Sequence, residues 1–363
     1  MVRRYVAAGR EVNARSVSRP LDCACGSLQI QAMPELWSAV AGEVSCPAAA
    51  AAGERRLALF ARGPRGELLE RRRDGESWTD FRSLGVPAAR GGPSDVPIDW
   101  PIAACATGDD EIQLVARGPD GELLHGTVSG GEWRCFESIG TPEVRAGDVS
   151  VPRGLAGAPA ACSRVPGQMD VFAVGPAGEL LHSVWDRSGF SEVETLGGLP
   201  NARGSDLPIC GGISAASCGD TAMAVFARGS TGELLVKWWN GGAWAPFAKV
   251  HSLDELDPAS HFIDVPLPLT SAPVACGGGT TRLDVFARGP GGDLLHRAWN
   301  GAAWTRAESL GMPRSATGEP IPFTGFSLAC AWGRWRLDVF ASAADGKLYG
   351  ASSNGSWSAT QGT

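Results

Sequence analysis

One string recurs six times along the chain and limits what the chain can fold into. Copies begin at Leu57 (LALFARGPRGELLE), Ile112 (IQLVARGPDGELLH), Met169 (MDVFAVGPAGELLH), Met223 (MAVFARGSTGELLV), Leu283 (LDVFARGPGGDLLH) and Leu337 (LDVFASAADGKLYG). The aligned residues Phe60, Val115, Phe172, Phe226, Phe286 and Phe340 recur at intervals of 54 to 60 residues. A fixed period marks a repeat architecture, in which each unit buries its faces only against its neighbours.

Each copy builds the same unit. A short run rich in Val, Leu and Phe alternates apolar and polar residues, which is the pattern of a strand. The Gly-Pro-x-Gly turn puts Pro where its fixed φ is wanted and Gly where positive φ is wanted. A second strand follows, as in 233–239. Then comes Asn240-Gly241 or its equivalents Asp74-Gly75, Asn300-Gly301 and Asn354-Gly355, which favour tight hairpins. A further strand starts at Trp78, Trp133, Phe190, Trp244, Trp304 or Trp357. Upstream of each copy lies a small-residue segment such as Pro159-Ala160-Ala161-Cys162, suited to the crowded strand beside a central axis. Four antiparallel strands per unit make a propeller blade. The expected fold is an all-β, six-bladed β-propeller over residues 43–363, with seven blades as the alternative.

Residues 1–42 match the repeat poorly. They read as an irregular N-terminal arm that packs on the ring or lends a strand to the closing blade, or else as a degenerate blade. The arm is preferred because the last copy already runs through its own Trp357 strand. Pairing the first and last segments would remove free sheet edges.

Composition narrows the setting. The 49 Gly and 25 Pro fit an all-β chain with many turns. No 18-residue apolar run predicts a membrane span, and the N-terminus lacks the apolar core of a secretory signal. Of ten Cys, five (Cys105, Cys162, Cys218, Cys276 and Cys330) take the inner-strand position of successive units, where small buried packing residues are expected rather than disulfide partners. A reduced cytoplasmic protein is the expectation, with non-classical export as the alternative. Net charge is −7, and the recurring Arg62, Arg117, Arg228 and Arg288 spread positive charge around the ring, so nucleic acid is not an expected partner.

The connections between units carry a second periodic signal, an acidic residue ahead of an apolar and Pro segment: Glu43, Asp95, Asp148, Asp206, Asp264 and Glu319. Each carboxylate can cap a local turn. The sharper reading is a carboxylate ring at one mouth of the central channel, able to bind a hard cation such as Ca²⁺. No other cofactor is called for.

Chemistry-bearing residues are sparse. His125, His182 and His296 share one repeat position, after Leu-Leu, and are too separated by blade to share a metal. His251 and His261 lie in the longest connection with Asp257, a constellation that would serve an enzyme, though no known catalytic spacing is matched. There is no nucleophile elbow, HExxH, P-loop or dinucleotide fingerprint. The 13 Trp are the informative excess. Pairs flank the second turn: Trp239 with Trp244, Trp299 with Trp304, and Trp185 with Phe190. Such faces beside Asn, Asp, Arg or His suit sugar stacking, while the plainer role is to fill the wedge between blades.

The string Asp-Val-Phe-Ala-Arg-Gly-Pro-x-Gly-Asp/Glu-Leu-Leu-His-x-x-Trp-Asn-Gly-x-x-Trp resembles the repeat of PLL-like bacterial β-propeller lectins and, more distantly, tectonin and fucose-lectin propellers. The resemblance covers residues 43–363. It implies L-fucose or O-methylated sugars held between adjacent blades, with Trp185, Trp239, Trp244, Trp299 and Trp304 stacking and His182 and His296 as polar contacts. The chain departs from the family in its longer repeat, its acidic connections, and Arg73, Val128 and Ser353 where a Trp is expected before the second turn. The leading expectation is a non-enzymatic, multivalent glycan-binding propeller, with a small-molecule ligand and an oligomer both compatible. The rivals are a metabolite-tailoring or lyase-like enzyme in the acidic funnel, and a protein-interaction scaffold.

Overall fold

The computed structural model describes residues 36–359 except 42–44, 53–55, 75–76, 90–94, 100, 147–148, 201–205, 210, 251–267, 280 and 333–335. They lie in a compact unit running from Pro34 to Thr363. The described residues form strands and turns, with no helix long and apolar enough to cross a membrane. Six antiparallel sheets succeed one another, each begun by an inner strand: Ser45–Ala52, Ala103–Gly108, Ala160–Cys162, Ile213–Ser217, Val274–Gly278 and Phe323–Trp332. Each inner strand neighbours the next, and Phe323–Trp332 returns to Ser45–Ala52, so the ring closes with six blades.

The second and third strands carry the repeated string. In blade three these are Met169–Val174 and Leu180–Trp185, in register through Phe172↔His182. Strand alternation sends Asp170, Phe172 and His182 toward blade four and Val171, Leu181 and Trp185 toward blade two. The five Phe of the repeat are fully buried and anchor the inter-blade cores. Small inner residues let neighbouring inner strands approach. The five inner-strand cysteines are buried free thiols, and burial pushes the pKa of Cys105 up to about 12.

The turn between these strands is a docking point. The Glu179 carboxylate lies over Gly175 and accepts the Ala177 amide, so a side chain at 175 would push that carboxylate aside. Gly178 has φ +78° and supports Pro208 of the connection, whose next residue, Ile209, donates its amide to Gly178 O at 2.8 Å. Ile98, Leu155, Leu269 and Phe323 repeat that bond on their own turns, and each is a buried plug between blades. The recurring arginines tie down the same segments: Arg62, Arg117 and Arg228 donate Nε to the carbonyls of Ile98, Leu155 and Leu269. The periodic connections are thus an architectural device, lying on the face of the Gly-Pro-x-Gly turns.

Blade six closes the ring with two outer segments. Trp357–Ala359 pairs with Ser353–Ala351, and Ser38–Ala41 pairs with Gly350–Leu348 of the same strand. The end of the segment read as an N-terminal arm therefore lends a strand to the closing blade. Trp37 locks it: its Nε1 donates to Leu310 O at 2.9 Å and its ring meets Phe323 edge-on at 4.8 Å.

Candidate functional site

Each gap between blades is built on one frame and filled differently. The frame takes two positions from the preceding blade, one on its second strand and one on its third. The following blade adds the last residue of its own third strand and the aromatic that opens its outer segment.

Between blades three and four, His182 stands between two carboxylates. Its Nε2 lies 3.0 Å from Asp170 Oδ1 and its Nδ1 lies 2.7 Å from Glu194 Oε1. Arg164 forks onto Asp170 at 2.9 and 3.1 Å. The imidazole stacks on Phe172 at 4.7 Å and meets Trp244 of the next blade at 5.7 Å. The gap between blades five and six repeats this: His296 with Asp284 (2.9 Å) and Glu308 (2.7 Å), Arg282 on Asp284, Phe286 below and Trp357 across. Burial opposes ionisation of Asp170 and Asp284, but hydrogen bonds from the histidine and arginine outweigh it and hold both below the usual carboxylate range.

The structure thus commits both nitrogens of His182 and of His296 to protein carboxylates. What each histidine presents outward is its outer carboxylate. Glu194 and Glu308 are 56% and 57% exposed at the groove mouths. These acids, and Asp170 and Asp284, were not singled out in the sequence. The available signal was a charged residue at core-facing parity two positions before Phe, recurring twelve residues ahead of His in both copies.

The other gaps differ. Between blades two and three, His125 Nε2 lies 3.0 Å from Gln113 Oε1 and packs against Trp185 and Phe190. Burial pulls its pKa down to about 4. Between blades four and five the filling is aromatic, with Trp238 against Trp299 at 5.5 Å and Trp304 against Phe226 at 5.8 Å. Between blades six and one, Arg73 reaches Asp338 at 3.6 Å under Trp78.

The expected Trp pairs do form across the outer hairpins. Trp239 and Trp244 are bridge partners with rings 5.5 Å apart, Trp299 and Trp304 likewise at 5.6 Å, and Trp185 bridges Phe190. Trp239, Trp244 and Trp299 are half-buried, while Trp185 and Trp304 are buried. One edge of Trp244 and of Trp304 wedges between blades. The hairpin Asn240 and Asn300 turn their Oδ1 inward to two backbone amides each.

The acidic residues of the connections are described only in part. Asp95 and Glu319 are exposed. Glu43, Asp148 and Asp264, and the side chain of Asp206, lie outside the described residues, as do His251, His261 and Asp257. Among the described residues no group of three or more His, Cys, Asp or Glu side chains could hold a metal ion.

Comparison with known proteins places the ring. No family model matches the chain, and no curated protein matches it in sequence. Solved structures do match. The fucose-specific lectin from Aleuria aurantia superposes with a TM-score of 0.57 at 16% identity, covering 88% of this chain and 96% of that one. AofleA from Arthrobotrys oligospora gives 0.59 at 15% identity over 90% of each chain. A lectin from Burkholderia pseudomallei gives 0.53 at 18% identity over 88% of this chain and 99% of its own. The shared feature is the fold. One structure of the Aleuria lectin is itself described as a six-bladed β-propeller with fucose recognition. At these identities the likeness carries architecture and not ligand.

Proposed function

We propose that the chain is a multivalent carbohydrate-binding propeller whose ligands sit in the grooves between blades. The observation that carries this reading is the pair of aromatic platforms at successive outer hairpins, Trp239–Trp244 and Trp299–Trp304, of which Trp239, Trp244 and Trp299 are partly exposed and Trp304 is buried. An aromatic face suits the C–H face of a sugar, and a fixed carboxylate beside it suits the hydroxyls. Glu308 supplies such a carboxylate beside Trp357, with which it also hydrogen-bonds. In this reading His182 and His296 position Glu194 and Glu308, Trp239, Trp244 and Trp299 offer stacking faces, and Trp185 and Trp304 back them. Fucose or an O-methylated sugar is the proposed ligand class. Several weak sites on one rigid ring give avidity toward a surface that displays many copies.

The test is a glycan array, followed by titration of tryptophan fluorescence with methyl fucoside and O-methylated monosaccharides. Saturable quenching lost in Trp299→Ala supports the reading. Absence of any response to these sugars at millimolar concentration overturns it.

A further inference from the structure

Among the described residues, the gap between blades one and two leaves its frame open toward both charged and apolar groups. It holds a cavity of about 240 Å³ lined by both charged and apolar side chains. Two substitutions in the repeat open it. Ala58 stands where blades three and five have Asp170 and Asp284, and Val128 stands where blades four and five have Trp239 and Trp299. Gly130 and Gly131, both at positive φ, close the wall with backbone alone.

The polar side of the cavity is built, not incidental. Glu70 takes the histidine position and is only 1% exposed. Its two oxygens accept Arg72 Nε at 2.7 Å and Arg82 Nε at 2.8 Å. Arg72 also donates to Gly131 O across the gap, and Arg56 pairs with Asp110 of blade two. Glu70 is thereby held between guanidiniums and, at 1% exposed, differs from the half-exposed Glu194 and Glu308 of the other gaps. Each guanidinium carries five N–H donors and no acceptor, and those of Arg56 and Arg72 line the cavity, while Arg82 holds Glu70 from outside the lining. Arg73, also in the lining, is paired with Asp338 of blade six, Arg56 is paired with Asp110, and Glu70 is shared by Arg72 and Arg82, so these described groups carry one net positive charge. Ile112 and Val128 of blade two form the apolar wall, and Ala58, the strand partner of Arg72, leaves the space between.

From this we propose that the blade one–two cavity binds a saccharide unit bearing a carboxylate, a uronate, with its ring against the apolar wall and its carboxylate on the arginines. Planar guanidiniums recognise carboxylates through paired, charge-assisted hydrogen bonds. This inference rests on the carbohydrate reading and specifies the ligand charge of one gap.

Isothermal titration with methyl glucuronoside, methyl glucoside, methyl fucoside and acetate tests it. The glucuronoside is expected to bind at least tenfold more tightly than the glucoside and more tightly than acetate, and to weaken as salt is raised. Val128→Trp installs the residue that the repeat already accommodates in blades four and five, and is expected to fill the cavity and abolish glucuronoside binding. Arg56→Gln, at the exposed rim, is expected to weaken it several-fold with an unchanged melting temperature. Equal binding of glucuronoside and acetate, or full glucuronoside binding by both variants, overturns the proposal while fucoside binding elsewhere still stands. No binding of any sugar overturns both.

Discussion

Nδ1 of His296 lies 2.7 Å from Oε1 of Glu308, and the opposite nitrogen reaches Asp284, so one imidazole ties a buried carboxylate to an exposed one across the third and outer strands of blade five. Burial opposes the imidazolium, but these bonds overcome it and raise the pKa of His296 above its ordinary value. A raised folded-state pKa means that this contribution to stability is complete below about pH 6.5 and is lost as pH rises through the raised value. The hydrogen bond from His296 lowers the pKa of Glu308, so its contribution is present above about pH 4.3 and is lost as pH falls through the lowered value. The network is therefore strongest between about pH 4.5 and 6.5. His296→Gln is expected to flatten the decline of the urea midpoint above that window. A variant that tracks the parent from pH 6 to 9 would contradict the assignment.

His125 is expected to behave in the opposite sense. Burial favours its neutral form and lowers its pKa to about 4, so it contributes stability above about pH 6.5 that is lost as pH falls toward 4. Following the histidine ring resonances by NMR should show His125 titrating well below His296. The reverse order would mean that the two gaps are solvated differently from what the structure shows.

Trp244 meets Phe172 of the preceding blade at 5.6 Å and 87°. The same edge contact recurs as Trp304 on Phe226, Trp357 on Phe286 and Trp78 on Phe340. Phe172→Ala removes a fully buried ring from such a contact and should cost about 3–5 kcal/mol. Chemical denaturation would read this as a lower midpoint. A loss below about 1 kcal/mol would show that the gap repacks around the missing ring.

Gly178→Ala should be costly for its size. The residue sits at φ +78°, and an added Cβ would overlap Pro208 of the docked connection. Strain of this kind costs on the order of 1–3 kcal/mol, to which the collision adds. Gly355→Ala is a matched control, with φ +101° but open space around the new methyl. Equal losses of melting temperature in the two variants would assign the effect to backbone strain alone.

Ring closure depends on a few residues far from the repeats. Truncation through Ala41 removes the strand paired with Leu348–Gly350 and the Trp37 anchor, baring a sheet edge. The shortened protein is expected to melt at lower temperature and to self-associate in light scattering, whereas truncation through Met33 spares both features. Identical behaviour of the two truncations would remove Ser38–Ala41 from the closure.

The repeat by itself determined the class of fold and the four-stranded blade and favoured six of them; the packing of Phe323–Trp332 on Ser45–Ala52 decided six over seven. Each copy repeats the same local chemistry: a period-two strand, a Gly-dependent turn and a second hairpin. Local chemistry of that kind can be read from spacing alone. It also put Trp239 with Trp244, and Trp299 with Trp304, at one hairpin. Which side chains complete a gap could not be read this way: the two blades contribute positions more than fifty residues apart, and even the twelve-residue spacings from His182 to Asp170 and Glu194 become contacts only once strand pairing sets them side by side. The sequence presents His182 and His296 as ligand contacts; only the tertiary structure pairs them with Asp170, Glu194, Asp284 and Glu308 and leaves no nitrogen over. Conversely, Ala58 and Val128 look like losses in the string. Set across one gap beside Glu70, Arg72 and Arg56, they become the open cavity, since a vacancy exists only where the neighbouring blade fails to fill it.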